Sequence, residues 1–142
     1  MIFPDTRAAI LSLIDGTTHE ALGQQHTVTA WYHQPADDYG QPVGDFPQAV
    51  VYATGGTEGW VDRVDQITVE LFAARGELAV RVLESIKDAI TGENIETPEG
   101  FLDTVAVRTV PVDVPYQNAS LSKAQMALEV ITRPSKPRLG NH

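Results

Sequence analysis

The sequence has no cysteine among its 142 residues. Disulfides, thiolate zinc sites and cysteine nucleophiles are therefore excluded together. No segment approaches the roughly 20 apolar residues that a membrane-spanning helix needs. The first five residues also lack the basic region and the apolar core of a signal peptide. We therefore expect a soluble protein that is made in the cytoplasm and contacts no membrane.

Basic residues are scarce. Ten lysines and arginines stand against 19 aspartates and glutamates, which gives a formal net charge of -9. Since affinity for nucleic acids comes largely from lysine and arginine, this balance argues against tight binding to DNA or RNA. A local exception is the cluster of Arg133, Lys136 and Arg138 near the C-terminus. It predicts a flexible basic tail over residues 134–142 or, alternatively, an arm that docks on an acidic partner.

The clearest pattern in the chain is a change of hydrophobic period between Val64 and Ile90. Ile67, Val69 and Leu71 alternate with polar residues, as in a half-buried strand. Apolar residues then recur at helical spacing and predict an amphipathic helix: Leu78, Ala79, Val82, Leu83, Ile86, Ala89 and Ile90. The unit is a strand that leads into a helix, and it is typical of a scaffold.

Weaker patterns predict the remaining elements. A first helix begins near Asp5 or Thr6, whose side chains can cap its free N–H groups, and stops near Gly16. Strands are expected over residues 27–33, 49–54, 102–114 and 126–130. The order is α-β-β-β-α-β-β. We predict one α+β domain over residues 1–133, with a mostly antiparallel sheet and helices packed on one face.

The segment 102–114 has a defect in its alternation. Val105 and Val107 share one parity, whereas Val110 and the valines that follow it share the other. Because a one-residue slip moves side chains to the opposite face, we expect a bulge between Arg108 and Val110. Pro111 cannot donate a ladder hydrogen bond, so the second half of this strand should lie at an edge or leave the sheet.

Two loops carry exposed apolar candidates. Residues 34–47 contain three prolines and two glycines, and Tyr39, Val43 and Phe46 could contact a partner; a flexible hairpin tip is the alternative. Residues 55–59 form a glycine-rich stretch without the Lys-Ser/Thr of a P-loop, so we interpret them as a hairpin loop. Trp60 beside it must either fold back on the core or be covered by a partner.

The sequence contains no pattern that indicates a catalytic residue, a cofactor-binding residue or a metal ligand. Glu58, Asp62 and Asp65 do not match a calcium loop. The histidines lack the i, i+4 spacing of a zinc helix, and no Gly-x-Ser-x-Gly elbow is present. We therefore expect no enzyme and no cofactor. The alternative is a small acidic ligand- or cation-binding module, or an enzyme, with these three carboxylates at its site.

The layout of the chain carries a family resemblance. A short helix, a strand ending near Trp31, a proline-rich loop and a strand into GGTEGW come before VDQITVELFAARGELAVRVLESIKDAI, and a final strand follows, ALEVITR. This arrangement, over residues 4–133, resembles the tail terminator proteins of long-tailed bacteriophages. These are also called tail-completion or head–tail joining proteins.

The resemblance implies a structural virion protein and not an enzyme. It would form a ring, usually a hexamer, that caps the tail tube and joins it to the head connector. Sheets of neighbouring subunits and long loops would carry the contacts. DNA would pass through the lumen without tight binding, since an acidic wall repels it. The alternative within a virion is another neck connector or a minor tail subunit.

Candidate interface residues follow from the rule that exposed apolar groups and flexible arms need partners. They are Tyr39, Phe46, Trp60, Arg133, Lys136 and Arg138. The expected location is the virion tail or neck, with the host cytoplasm as the place of assembly.

Overall fold

The computed structural model describes residues 2–118 and 120–134. In chain order the elements are α1 (Thr6–Ile14), β1 (Thr18–Ala21), β2 (Gln24–Thr27), β3 (Thr29–Trp31), β4 (Gln48–Glu58), β5 (Arg63–Ala73), α2 (Gly76–Ile90), β6 (Gly92–Thr97), β7 (Gly100–Val114) and β8 (Ser122–Thr132). Six strands form the main sheet in the order β3-β4-β5-β8-β7-β6, and β1 pairs with β2 in a separate hairpin. In the main sheet β3 and β4 are parallel, and the other pairs are antiparallel.

The α+β class and the predicted order of helices and strands are confirmed. The cap of α1 is also as expected, because the Asp5 carboxylate accepts a hydrogen bond from the Ala8 amide at 3.1 Å. The structure adds the β1–β2 hairpin and β6, which the sequence patterns did not predict. It also extends β4 to Glu58, four residues beyond its predicted end at Thr54.

The core lies between one face of the sheet and the two helices. Ile67, Val69 and Leu71 of β5 stand beside Leu128 and Met126 of β8, and all five side chains are fully buried. They pack in one cluster with the predicted stripe of α2, of which Ala79, Val82, Leu83, Ile86 and Ile90 are buried. Each fully buried aliphatic side chain contributes about 1.5–3 kcal/mol to folding. Neither helix in residues 2–118 and 120–134 is both long and apolar enough to cross a membrane.

The opposite face of the sheet is largely polar. Glu70 of β5 and Lys123 of β8 form an ion pair across the strands at 3.2 Å. Gln125 and Glu129 continue this face along β8 and are half-buried. Neither α1 nor α2 covers these residues, so the sheet has one packed face and one face that is polar and partly open to solvent.

The expected irregularity in β7 is confirmed. Its register against β8 shifts between Val107 and Thr109 and again between Thr109 and Val112. On its other side β7 pairs with β6 only up to Val105, so its second half, which contains Pro111, forms an edge of the sheet. The proline therefore lies where a ladder hydrogen bond is not required.

A buried histidine joins the β1–β2 hairpin to α2. The Ser85 hydroxyl and His19 Nδ1 are 2.8 Å apart, and His19 Nε2 lies 2.8 Å from Thr17 Oγ1. Thr17 donates its own proton to the Ile14 carbonyl oxygen at 2.6 Å. It therefore accepts from Nε2–H, and Ser85 donates to Nδ1. Burial lowers the pKa of His19, because desolvation disfavours the imidazolium.

This arrangement predicts a pH dependence of stability. With its pKa lower in the folded state than in the unfolded chain, His19 binds more protons after unfolding. Stability is therefore full above the unfolded value of about 6.5 and falls as the pH drops from there towards the folded pKa. Thermal melts between pH 7.5 and 5 should show this loss, and His19→Gln, which cannot titrate, should reduce the slope. An unchanged slope in the variant would exclude His19 as the cause.

Candidate interaction surfaces

The turn between β4 and β5 presents two large apolar side chains to solvent. We call residues 58–62 the hairpin tip. It is closed by a hydrogen bond from the Gly59 amide to the Asp62 carbonyl oxygen at 2.8 Å. Trp60 is 88% exposed and Val61 is 68% exposed. The sequence left two alternatives for Trp60: folding back on the core or being covered by a partner. The structure shows that Trp60 does not fold back on the core of its own chain.

Two positions in the strand that leads to the hairpin tip require glycine. A side-chain carbon at Gly56 would lie 2.1 Å from the Val64 carbonyl oxygen, so no other residue fits without moving the backbone. Gly55 has a φ of +139° and follows a register shift after Ala53. The interpretation of residues 55–59 as a loop was therefore wrong: residues 55–58 belong to β4, and the turn itself is shorter.

Two of the three carboxylates of the alternative cation site, Glu58 and Asp65, form ion pairs with a neighbouring arginine. Arg63 lies between Glu58, at 3.6 Å, and Asp65, at 3.0 Å. Asp65 is buried and also accepts a hydrogen bond from the Thr6 hydroxyl at 2.8 Å, which ties β5 to α1. Among residues 2–118 and 120–134, no three His, Asp or Glu side chains are grouped so that they could hold a metal ion.

The loop over residues 34–47 is held by its own hydrogen bonds. The Asp37 carboxylate accepts from the amides of Tyr39 and Gln41, both at 2.9 Å, as in an Asx turn. Tyr39 at its apex is 90% exposed. Phe46 is half-buried and lines a small cavity with Leu121. The loop thus presents Tyr39 to solvent and turns Phe46 towards the protein.

The basic cluster near the C-terminus is described in part. The Arg133 guanidinium forms an ion pair with Asp103 at 2.7 Å, and its side chain is 71% exposed. Lys136 and Arg138 lie outside the described residues, as does most of the predicted tail.

A cavity that the sequence patterns did not predict opens beside the edge of β4, where β3 ends. Its volume is about 390 Å³. Arg7 and Tyr32 form part of its wall, with the guanidinium carbon 4.3 Å from the ring centre. We call it the Arg7 cavity. It joins α1 to residues that follow β3, which are distant in sequence, so no local pattern could have indicated it.

The floor of the Arg7 cavity contains a neutralised carboxylate. The Tyr52 hydroxyl donates to Glu70 at 3.3 Å, and the Lys123 ammonium pairs with the same oxygen at 3.2 Å. Burial raises the pKa of Tyr52, and the neighbouring Glu70 charge raises it further. The phenol therefore stays protonated and remains a hydrogen-bond donor near neutral pH.

A second and larger concavity, about 1,020 Å³, lies between α2 and the β1–β2 hairpin. Glu20, Glu84 and Asp88 make its walls acidic, and Ser85 lines it. Ser85 and His19 have the contact that an activated nucleophile needs, but a threonine and not a carboxylate holds the other ring nitrogen. Ser85 also lies in the interior of α2, where backbone amides are already used and cannot stabilise an oxyanion. We therefore interpret the Ser85–His19 contact as one that joins α2 to the β1–β2 hairpin.

No protein-family model matches this chain, and no curated protein matches it. The surfaces described above, together with the layout of the sequence, are what bear on its function.

We expect the exposed tryptophan to contribute almost nothing to folding. Trp60→Ala should change the free energy of unfolding by no more than about 0.5 kcal/mol, since the residue contacts mainly solvent. Leu83→Ala, which removes a fully buried side chain of α2, should cost about 2–5 kcal/mol. Urea unfolding measured by circular dichroism tests both variants. A loss above about 1 kcal/mol in Trp60→Ala would show that the residue stabilises its own chain.

Proposed function

We propose that this protein is a structural subunit of a ring of the phage tail terminator type, which caps the tail tube and joins it to the head connector. The observation that carries the proposal is the hairpin tip, where Trp60 and Val61 are presented to solvent at the end of the paired strands β4 and β5. Large apolar groups held in such a position are typical of protein–protein contacts. In the proposed role the protein catalyses no reaction.

The two edges of the main sheet differ, and the difference favours association at the β4 edge. Beyond Val50, β4 has no strand partner on its outer side in the described chain, and its residues 52–58 contain neither lysine nor proline. The opposite edge carries Pro111 and the irregularities of β7, and β6 has glutamates and a positive φ at Asn94. Such features protect an edge from pairing. Of the two edges, the β4 edge is therefore the one less protected against pairing with a neighbouring subunit.

The charge of the chain suits a ring through which DNA passes. The net charge of -9 per subunit is multiplied in a ring, and it disfavours adhesion of the phosphate backbone. Other candidate contacts are Tyr39 on its ordered loop and Arg133 at the end of β8. These residues would contact the tail tube protein and the head–tail connector, in the virion or in the host cytoplasm during assembly.

The proposal predicts a defined oligomer. Native mass spectrometry of the full chain, alone and with tubes assembled from the tail tube protein, should show a species of six times the 15.4-kDa subunit mass. Negative-stain images should show sixfold rings, free or at the tube ends. A chain that stays monomeric in the presence of tubes, and leaves their ends uncapped, would contradict the proposal.

A second prediction concerns DNA. At physiological salt we expect no retardation of duplex DNA in a gel at protein concentrations below about 1 μM, where proteins with many basic contacts begin to bind without sequence specificity. Binding that is tight and falls steeply with salt would contradict the role of an acidic, non-adhesive channel.

A further inference from the structure

Two residues in the wall of the Arg7 cavity carry buried hydrogen-bond donors that have no acceptor. Arg7 Nε and Gln34 Nε2 are both buried, and neither has a hydrogen-bond partner within the described chain. Arg7 also has no carboxylate within 4.0 Å among residues 2–118 and 120–134. Leaving a buried donor unsatisfied costs about 1–3 kcal/mol, and more when the group is charged. The Arg7 guanidinium lines the cavity and pairs with no carboxylate of the described chain, so it favours an occupant that brings acceptor oxygens.

The walls of the same cavity favour an aromatic occupant. Tyr32 and Tyr52 line the cavity, and the Arg7 guanidinium carbon lies 4.3 Å from the centre of the Tyr32 ring. The negative charge of Glu70 on the floor does not repel an acidic group strongly, since Lys123 neutralises it at 3.2 Å. An occupant that combines an aromatic ring with carboxylates matches both properties of the site.

The hairpin tip has this composition. Glu58 and Asp62 are acidic, and they flank Trp60 and Val61, the most exposed apolar pair in sequence on the described surface. An indole ring can fill part of a cavity of about 390 Å³ and can donate its N–H to Glu70. Glu58 pairs with Arg63 of its own chain at 3.6 Å, whereas Asp62 forms no ion pair within the described residues. The Asp62 carboxylate therefore offers a charge complementary to Arg7 and acceptor oxygens for the Gln34 amide.

A chain cannot place its own tip in its own cavity. The cavity borders β4 at Tyr52 and Ala53, and the tip begins at Glu58, five residues further along the same strand. At about 3.3 Å per residue the two are separated by roughly 17 Å. Antiparallel pairing with β5 along this whole length keeps β4 from folding back. The tip is therefore available to a second molecule only.

We propose that the hairpin tip of one copy docks in the Arg7 cavity of a second copy of this chain. The inference rests on the proposed ring function and specifies its contact between subunits. Because the tip and the cavity are different patches of the surface, the contact is heterologous, and repetition of such a contact closes into a ring when the rotation allows it.

Cysteine cross-linking tests the contact directly, since the chain has no cysteine of its own. One population carries Val61→Cys and a second carries His33→Cys, at the rim of the cavity. Mixed and mildly oxidised under assembly conditions, with tail tubes present if the ring needs them, they should give a disulfide-linked pair. The matched control is Val110→Cys, an exposed valine on the opposite edge of the sheet, which should not link to His33→Cys.

A double-mutant cycle tests the energetics of the same contact. Trp60→Ala should weaken self-association roughly thirtyfold or more, as expected for a central interface residue. Arg7→Gln should weaken it as well, and the double variant should be little worse than Trp60→Ala alone, since the two residues act on one contact. Phe101→Ala, an exposed aromatic on β7, serves as the control and should leave association unchanged. Urea unfolding of each variant separates a loss of contact from a loss of folding.

The outcomes distinguish this inference from the function on which it rests. Sixfold rings that form without the cross-link, and without any effect of Trp60→Ala, would overturn the inference and leave the ring function standing. A different outcome is that the cross-link, and the coupling between Trp60→Ala and Arg7→Gln, are found only in a closed dimer in which two copies exchange tips. That result would support the contact and overturn the proposed ring function. Association that fails under every condition, with and without tubes, would overturn both.

Discussion

Pairing of β5 along both of its sides is the constraint on which the rest of the structure depends. All eleven of its residues pair with β8, and nearly all pair with β4. With both hydrogen-bonding edges occupied, β5 fixes the alternation of its side chains, so that Ile67, Val69 and Leu71 must all face the helices. The position of α2 over the sheet, and of the hairpin tip at the end of β4 and β5, follow from this one strand.

The same strand explains how the two faces of the sheet came to differ. Residues of β5 that point away from the helices include Glu70, whose charge is balanced by Lys123 from β8 and whose oxygen accepts from Tyr52 of β4. This polar network lies on the same face as the buried Val50, Thr68 and Phe72, and it distinguishes that face from the apolar one that packs on the helices. The open face and the Arg7 cavity at its margin are thus products of the same register that builds the core.

Local patterns in the sequence predicted the parts of the fold whose cause is local. The period of β5, the apolar stripe of α2, the cap at Asp5 and the break in β7 each depend on residues close together in the chain. The hairpin β1–β2 was missed because its second strand, QQHT, has no apolar alternation, and because its contact with α2, through His19 and Ser85, joins residues 66 positions apart. For the interaction surfaces, the sequence singled out Trp60 and Tyr39, but it could not place Arg7 beside Gln34, since only the folded sheet edge brings them together.

Gly56 has a consequence for how this surface can change over time. Any side chain at this position would strike the Val64 carbonyl oxygen, so a substitution of Gly56 would shift the backbone that supports the hairpin tip. Trp60 and Val61, four and five residues later, contact little of their own chain and are free of that restriction. Selection can therefore alter the chemical identity of the contact while its position stays fixed, and copies of such a chain could acquire new partners without losing the ability to fold.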